Sequence, residues 1–169
     1  KIFNDPVYGF ISIPYDIVFD VIEHPYFQRL RRIQQLGLSS LVYPGATHSR
    51  FHHSLGAMHL MYRSLEVLKS KGQEITEDES KAAVLAILMH DLGHGPFSHT
   101  LEGVLVEDLH HEHLSMLLMQ NLQKEFGKPI EMAIQIFTNQ YPKKFLYQLV
   151  SGQLDMDRLD YLNRDSFYS

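Results

Sequence analysis

The sequence predicts a mostly α-helical bundle fronted by a short β hairpin, and three observations carry this expectation. Apolar residues recur at three- and four-residue spacing through most of the chain, as on helices with one buried face. Alternation of apolar and polar residues is confined to the first 14 residues. Gly and Pro break the helical patterns at short intervals. The chain has 169 residues, 44% hydrophobic and 21% charged, values of an ordinary globular protein with length for one domain and a sizeable core.

"KIFNDPVYGFISIP" alternates around Asn4-Asp5-Pro6 and reads as the hairpin, residues 1–14. "YDIVFDVIEH" is a short helix ended by His24-Pro25. "PYFQRLRRIQQLG" starts with Pro at an early helical position and closes at Gly37, so one helix is expected over Pro25–Gly37. On it Phe27, Leu30, Ile33 and Gln34 share a face, with Arg29 and Arg32 beside it. A turn-rich connection through Pro44 and Gly45 leads to a long helix from Arg50 to Lys71, with Leu55, Met58, Leu60, Met61, Leu65 and Leu68 as core candidates and Gly72 at its end. "TEDE" at Thr76 to Glu79 fits a capping box. The helix it opens is apolar nearly all round from Ala82 to Met89, which marks the central buried one. Gly93, Gly95 and Pro96 break it, and "PFSHTLEGVLV" opens another. Helical patterns continue over 111–126, 130–138, 142–150 and 156–164. There is no internal repeat or linker, so one domain over 1–169 is expected.

Several function classes drop out on composition. A net charge of −5 disfavours a nucleic-acid binder, whose phosphate contacts need a basic surface. The absence of cysteine removes disulfides and thiolate chemistry and fits a reducing cytoplasm. No apolar run approaches the roughly 20 residues of a membrane span, and no signal peptide is visible. A first residue of Lys rather than Met leads to the expectation of a fragment. The unusual number is the 11 histidines.

Three of them sit in "LMHDLGHGPFSH", Leu88 to His99. His90-Asp91 at the end of a buried helix offers a nitrogen and a carboxylate to one point, and buried carboxylates are costly unless paired or metal-bound. Alone, the pair could be a helix cap and a loop hydrogen bond. His94 and His99 nearby, with two glycines that let backbone approach a ligand, favour a site. In "THSRFHHSLG", Arg50 and His53 lie three apart on the long helix and can face one point. A guanidinium suits bidentate phosphate contact, while spacing leaves His52 and His53 both open as ligands. In "LDMDRLDYLNRD", Asp157, Tyr161 and Asp165 line one helical stripe beside Arg158, with Asp160 and Arg164 on an adjacent stripe. A solvated salt-bridge face is the plain alternative there. "LHHEHLS" is a weaker signal, with His111 and Glu112 opening a helix and His110 and His113 facing solvent. One histidine of the long helix, His90, Asp91 and a late aspartate make a two-nitrogen, two-oxygen set suited to Fe, Mn, Ni, Co or Zn rather than Ca or Mg. Such a metal lowers the pKa of water and polarises a phosphoryl oxygen.

The order H…HD…D resembles the HD-domain metal-dependent phosphohydrolases. "NDPVYGFI", "FQRLRRIQQLG", "PGATHSRFHHSLG", "HDLGHGPFSH", "HEHLS" and "DMDRLDYLNRD" are similar to its deoxynucleotide triphosphohydrolase branch, from about Asp5 to Asp165. The resemblance implies an HD-domain helical bundle with metal ligands His53, His90, Asp91 and Asp157, which selects His53 over His52. It implies that Arg50, Arg158 and Tyr161 contact a triphosphate, that Asp165 lies near the sugar, and that Gln35 and Leu36 lie near sugar and base. His94, Glu102 and His111 correspond to a hydrogen-bonded catalytic group, and His99 to the residue that protonates the leaving 5′ oxygen. The implied reaction converts a dNTP to deoxynucleoside and tripolyphosphate with one divalent transition metal, Mg²⁺ being a candidate companion of the triphosphate. A homo-oligomer is a candidate state. Members of this branch are much longer, so a C-terminal truncation is expected. The alternatives are an HD phosphohydrolase acting on another nucleotide or phosphoester, and a silent nucleotide-binding module.

Overall fold

A computed structural model describes residues 1–97 and 111–169. Strands β1 (Ile2–Asp5) and β2 (Gly9–Ser12) pair antiparallel, with Ile2 opposite Ser12 and Asp5 opposite Gly9. Asp5 makes the turn: its Oδ1 accepts the N–H groups of Val7 and Tyr8, both at 3.0 Å. Helices α1 (Asp16–Glu23) and α2 (Pro25–Gln28) follow.

The helix expected over Pro25–Gly37 is much shorter. It tightens into a 3₁₀ turn at Arg29–Arg32 and ends at Ile33, whose backbone is extended. Long-range partners override the local pattern here. Arg29 donates to the carbonyls of Leu92 and, at 2.9 Å, of His94, and Gln34 forms an isolated bridge with Ser49. Phe27, Leu30 and Ile33 are buried as expected, but Gln34 is exposed. A second 3₁₀ turn spans Gly37–Leu41.

Helix α3 (Arg50–Ser70) buries Leu55, Met58, Met61 and Leu65, while Leu60 and Leu68 are only half-buried. Helix α4 (Glu77–Met89) begins with the expected box: Thr76 Oγ1 accepts from Glu79 N at 3.2 Å, and Glu79 Oε2 accepts from Thr76 N at 2.8 Å. Its residues Ala82 to Met89 are fully buried. Helices α5 (His111–Phe126), α6 (Lys128–Phe137), α7 (Lys144–Val150) and α8 (Met156–Tyr168) complete the described residues, α8 running four residues past the expected Arg164. Helix α4 packs against α3, α6 and α7, and α8 lies along α3. The start of α3, the end of α4 and the start of α8 therefore meet. The helix expected to open at Pro96 falls largely on residues 98–110, outside those described, together with His99, Glu102 and His110. No helix among the described residues is long and apolar enough to cross a membrane.

Candidate metal centre

The first turn of α3 separates its two adjacent histidines. The Ser49 N–H donates to His52 Nδ1 at 3.2 Å, so His52 serves the N-terminus of its own helix. His53 turns inward and is fully buried. Its Nδ1 lies 2.8 Å from Asp160 Oδ2. At the end of α4, His90 Nδ1 meets the carbonyl of Ile87. A carbonyl can only accept, so His90 carries its proton on Nδ1 and presents the Nε2 lone pair to the site.

Four donors converge there. His53 Nε2 lies 3.0 Å from Asp157 Oδ1 and 3.4 Å from His90 Nε2. His90 Nε2 lies 3.3 Å from Asp91 Oδ1 and 3.5 Å from Asp157 Oδ1, and His53 Nε2 lies 3.8 Å from Asp91 Oδ2. Metal–ligand bonds of about 2.1 Å place neighbouring donors about 3.0–3.4 Å apart in octahedral or tetrahedral geometry. The set fits a divalent metal, with His53, His90 and Asp91 as a cluster able to hold one and Asp157 beside it.

The charges agree with this fit. Burial alone would lower the His53 pKa, but hydrogen bonds to Asp157 and Asp160 and the charge of Asp91 outweigh it and raise it to about 10. His90 is likewise raised, the neighbouring Asp91 and Asp157 overcoming its burial. Burial would raise Asp91 and Asp157, yet His90 and His94 with Arg50 hold Asp91, and His53 and His90 hold Asp157, well below the usual carboxylate range. The carboxylates that favour positive charge on these histidines favour a metal cation at the same point. His94 behaves oppositely. Burial pushes it down to about 4 despite Asp91 Oδ1 at 3.2 Å, so it is neutral at physiological pH. Its ring stacks on His111 at 3.9 Å between centroids.

A cleft over the donors is lined by Gln35, Arg50, His94, His111, Glu112 and Tyr161 as well as His90, Asp91 and Asp157. Arg50 is buried, with Nη1 2.7 Å from Asp91 Oδ2. Leu36, Arg158 and Asp165 do not line the cleft. Arg158 is exposed one residue after Asp157, and Leu36 is half-buried beside Gln35. Asp165 Oδ1 instead meets His48 Nε2 at 2.7 Å, under a His48 ring stacked on Tyr168.

Periodicity did not single out the residues that hold these groups in place. Asp160 and Arg164 are fully buried, not a solvated face. The signal was their four-residue spacing and the position of Asp160 three residues after Asp157. Arg29 fixes the carbonyls of the turn after His90-Asp91. Ser115 accepts from Gly93 N at 2.8 Å and donates to His90 O at 2.7 Å. Any Cβ at Gly93 would overlap the His111 carbonyl and the Ser115 amide, so close packing of α5 on this turn requires glycine.

Comparison with known proteins agrees with this geometry. The HD domain family model matches residues 50–165. The chain is 38% identical to the uncharacterized protein YwfO of Bacillus subtilis, covering 100% of this chain and 40% of that protein. It is also 38% identical to the deoxynucleoside triphosphate triphosphohydrolase SAMHD1 homolog of Dictyostelium discoideum, covering 99% of this chain and 36% of the relative. A crystal structure of a phosphohydrolase from Bacteroides thetaiotaomicron superposes with a TM-score of 0.97 at 58% identity, over 99% of this chain and 42% of that one. The chain thus spans about two fifths of the length of these relatives. With the matched motifs gathered around one metal-competent point, the chain belongs to the HD domain family.

Proposed function

We propose that this chain is the catalytic part of a metal-dependent hydrolase that converts deoxynucleoside triphosphates to deoxynucleosides and tripolyphosphate. One observation carries the reading: the donor atoms of His53, His90, Asp91 and Asp157 converge within 3.0–3.8 Å beneath a cleft that also presents Arg50, His94, His111 and Tyr161. The triphosphohydrolase named among its relatives supports the substrate class.

In this reading His53, His90, Asp91 and Asp157 hold one divalent transition metal, which supplies phosphoryl polarisation and a more acidic water. Arg50 and Tyr161 face the phosphates, and Arg158 reaches them from the rim of α8. His94, neutral because it is buried, has a ring nitrogen able to take a proton, with His111 stacked against it to hold the ring plane. A water oxygen bonds to the α-phosphorus, the bond to the 5′ oxygen breaks, and that oxygen leaves protonated. By family resemblance His99 donates that proton and Glu102 completes the group with His94 and His111. Gln35 and Leu36 lie toward sugar and base, and Asp165 toward the sugar.

The test is product analysis. Metal-loaded protein is incubated with the four dNTPs, and nucleosides, tripolyphosphate and orthophosphate are resolved by ion exchange. Deoxynucleoside with intact tripolyphosphate is the expected result. Orthophosphate with dNDPs would assign the site to a different phosphohydrolase reaction, and metal-loaded protein with no turnover would point to the portions of its relatives that this chain does not span, or to an absent activator, before a silent nucleotide-binding module.

A further inference from the structure

We propose that Asp5, on the turn of the N-terminal hairpin, is a positioning residue for the metal centre, acting on His53 through Arg164 and Asp160. The proposal rests on the reading of His53 as a metal ligand. The hairpin lies outside the segment matched by the HD model, which begins at residue 50.

The connection is continuous and buried. His53 Nδ1 lies 2.8 Å from Asp160 Oδ2. Arg164 donates to both Asp160 oxygens, Nε to Oδ2 and Nη2 to Oδ1, each at 3.0 Å. The outer edge of the same guanidinium donates to Asp5, Nη1 to Oδ2 at 2.8 Å and Nη2 to Oδ1 at 3.4 Å. His53, Asp160 and Arg164 are fully buried, and Asp5 is nearly so. Asp5 is itself anchored, because its Oδ1 accepts the turn N–H groups of Val7 and Tyr8.

Each link constrains the next. The partner on the remote nitrogen of a ligating histidine sets its tautomer and ring orientation. Asp160 occupies that position for His53 and is gripped along one edge of a planar fork. A fork gripped at one edge can still swing in its plane. Asp5 holds the other edge and ties it to the hairpin backbone. The two carboxylates and one guanidinium carry a net charge of about −1 beside the donor set, which favours a cation over an empty site. Helix α3 leaves room for the chain of contacts only because residue 56 is glycine: any Cβ there would overlap the Asp160 carboxylate and the Arg164 guanidinium.

Asp5→Asn separates the two duties of Asp5, since Asn keeps the Oδ1 that caps the turn and loses the charge that grips Arg164. Metal-free wild type, Asp5→Asn, Arg164→Lys, the double variant and Asp91→Ala are each titrated with Co²⁺, reading affinity by calorimetry and ligand field by the visible bands. Melting by circular dichroism is followed in parallel. Expected are about tenfold weaker binding and a shifted Co²⁺ spectrum in Asp5→Asn, the scale of outer-shell changes at metal sites, and little further loss when Asp5→Asn is added to Arg164→Lys. A lowered melting temperature with unchanged Co²⁺ affinity and bands would overturn the proposal while leaving the metal reading intact. Wild type that binds no Co²⁺, or Asp91→Ala that binds it equally well, would overturn both. Should Asp5→Asn fail to fold, Arg164→Lys decides alone, because a single ammonium cannot span both carboxylates; wild-type affinity and bands in it overturn the proposal.

Discussion

Helix α4 is buried from Ala82 to Met89 without one polar side chain, whereas helix α8 turns Met156, Asp160 and Arg164 inward. Both deliver groups to the same point: α4 ends at His90-Asp91, and α8 presents Asp157 in its first turn. Their placements rest on different physics. Each fully buried Val, Leu, Ile or Met side chain of α4 contributes about 1.5–3 kcal/mol, a non-directional force that fixes where the helix lies. Desolvation offsets part of the attraction in the buried Arg164–Asp160 pair, yet its contacts are directional: Asp160 meets His53 on α3 and Arg164 meets Asp5 on the hairpin, which fixes how α8 meets its neighbours. The apolar helix supplies stability to the centre and the charged helix supplies its geometry.

Several substitutions would break or sharpen this contrast. The largest effect is expected at the end of α4. Asp91→Ala removes a charged donor, and metal content measured on the purified protein should fall to background together with turnover. Metal retained at wild-type level would remove Asp91 from the donor set.

Within α4, Leu85→Ala should cost about 2–5 kcal/mol of stability, read by denaturant unfolding, and leave the metal affinity of the folded protein unchanged. A weaker Kd would mean that α4 packing also sets the site geometry. On α3, facing α8, Gly56→Ala inverts the usual expectation. Helix propensity alone predicts a gain of about 1 kcal/mol, but the new methyl meets Asp160 and Arg164, so a loss of about 1–3 kcal/mol is expected from overpacking, with weaker metal binding. A stabilised variant would show that the charged contacts shift at no cost.

The smallest effect is a graded one with pH. His53 is raised to about 10, so metal entry displaces a proton. Apparent affinity should therefore fall as pH falls, by about tenfold per pH unit for each proton released. The metal-free protein runs the other way. The contribution of a histidine with a raised pKa is fully present below its unfolded value, about 6.5, and is lost as pH rises through about 10. Parallel pH series of Co²⁺ affinity and metal-free melting check both signs, and affinity that does not change with pH would show that His53 is unprotonated before metal enters.

Much of this was legible in the chain. The hairpin, the capping box before α4, the central apolar helix and the His90-Asp91 pair at its end follow from local pattern, and α5 ends at Phe126 where that pattern places it. Less legible was anything decided by partners distant in sequence. The helix expected through Gly37 stops early because Arg29 and the backbone of Ile33 and Gln34 find partners at residues 49–50 and 92–94. Asp160 and Arg164 fit an exposed ion-pair stripe by spacing, and they are buried because Asp5, 159 residues before Arg164, closes over them.

The sequence by itself determined most of the helices, their apolar faces and the motifs that carry the candidate ligands, because these depend on neighbours three or four positions away. Spacing alone left His52 and His53 open, and family resemblance chose His53. The tertiary structure decided the physical basis of that choice, the partners that orient His53, and which charges on α8 are buried. Those depend on which elements pack together, since a charge is tolerated inside only where another part of the fold brings its counter-charge.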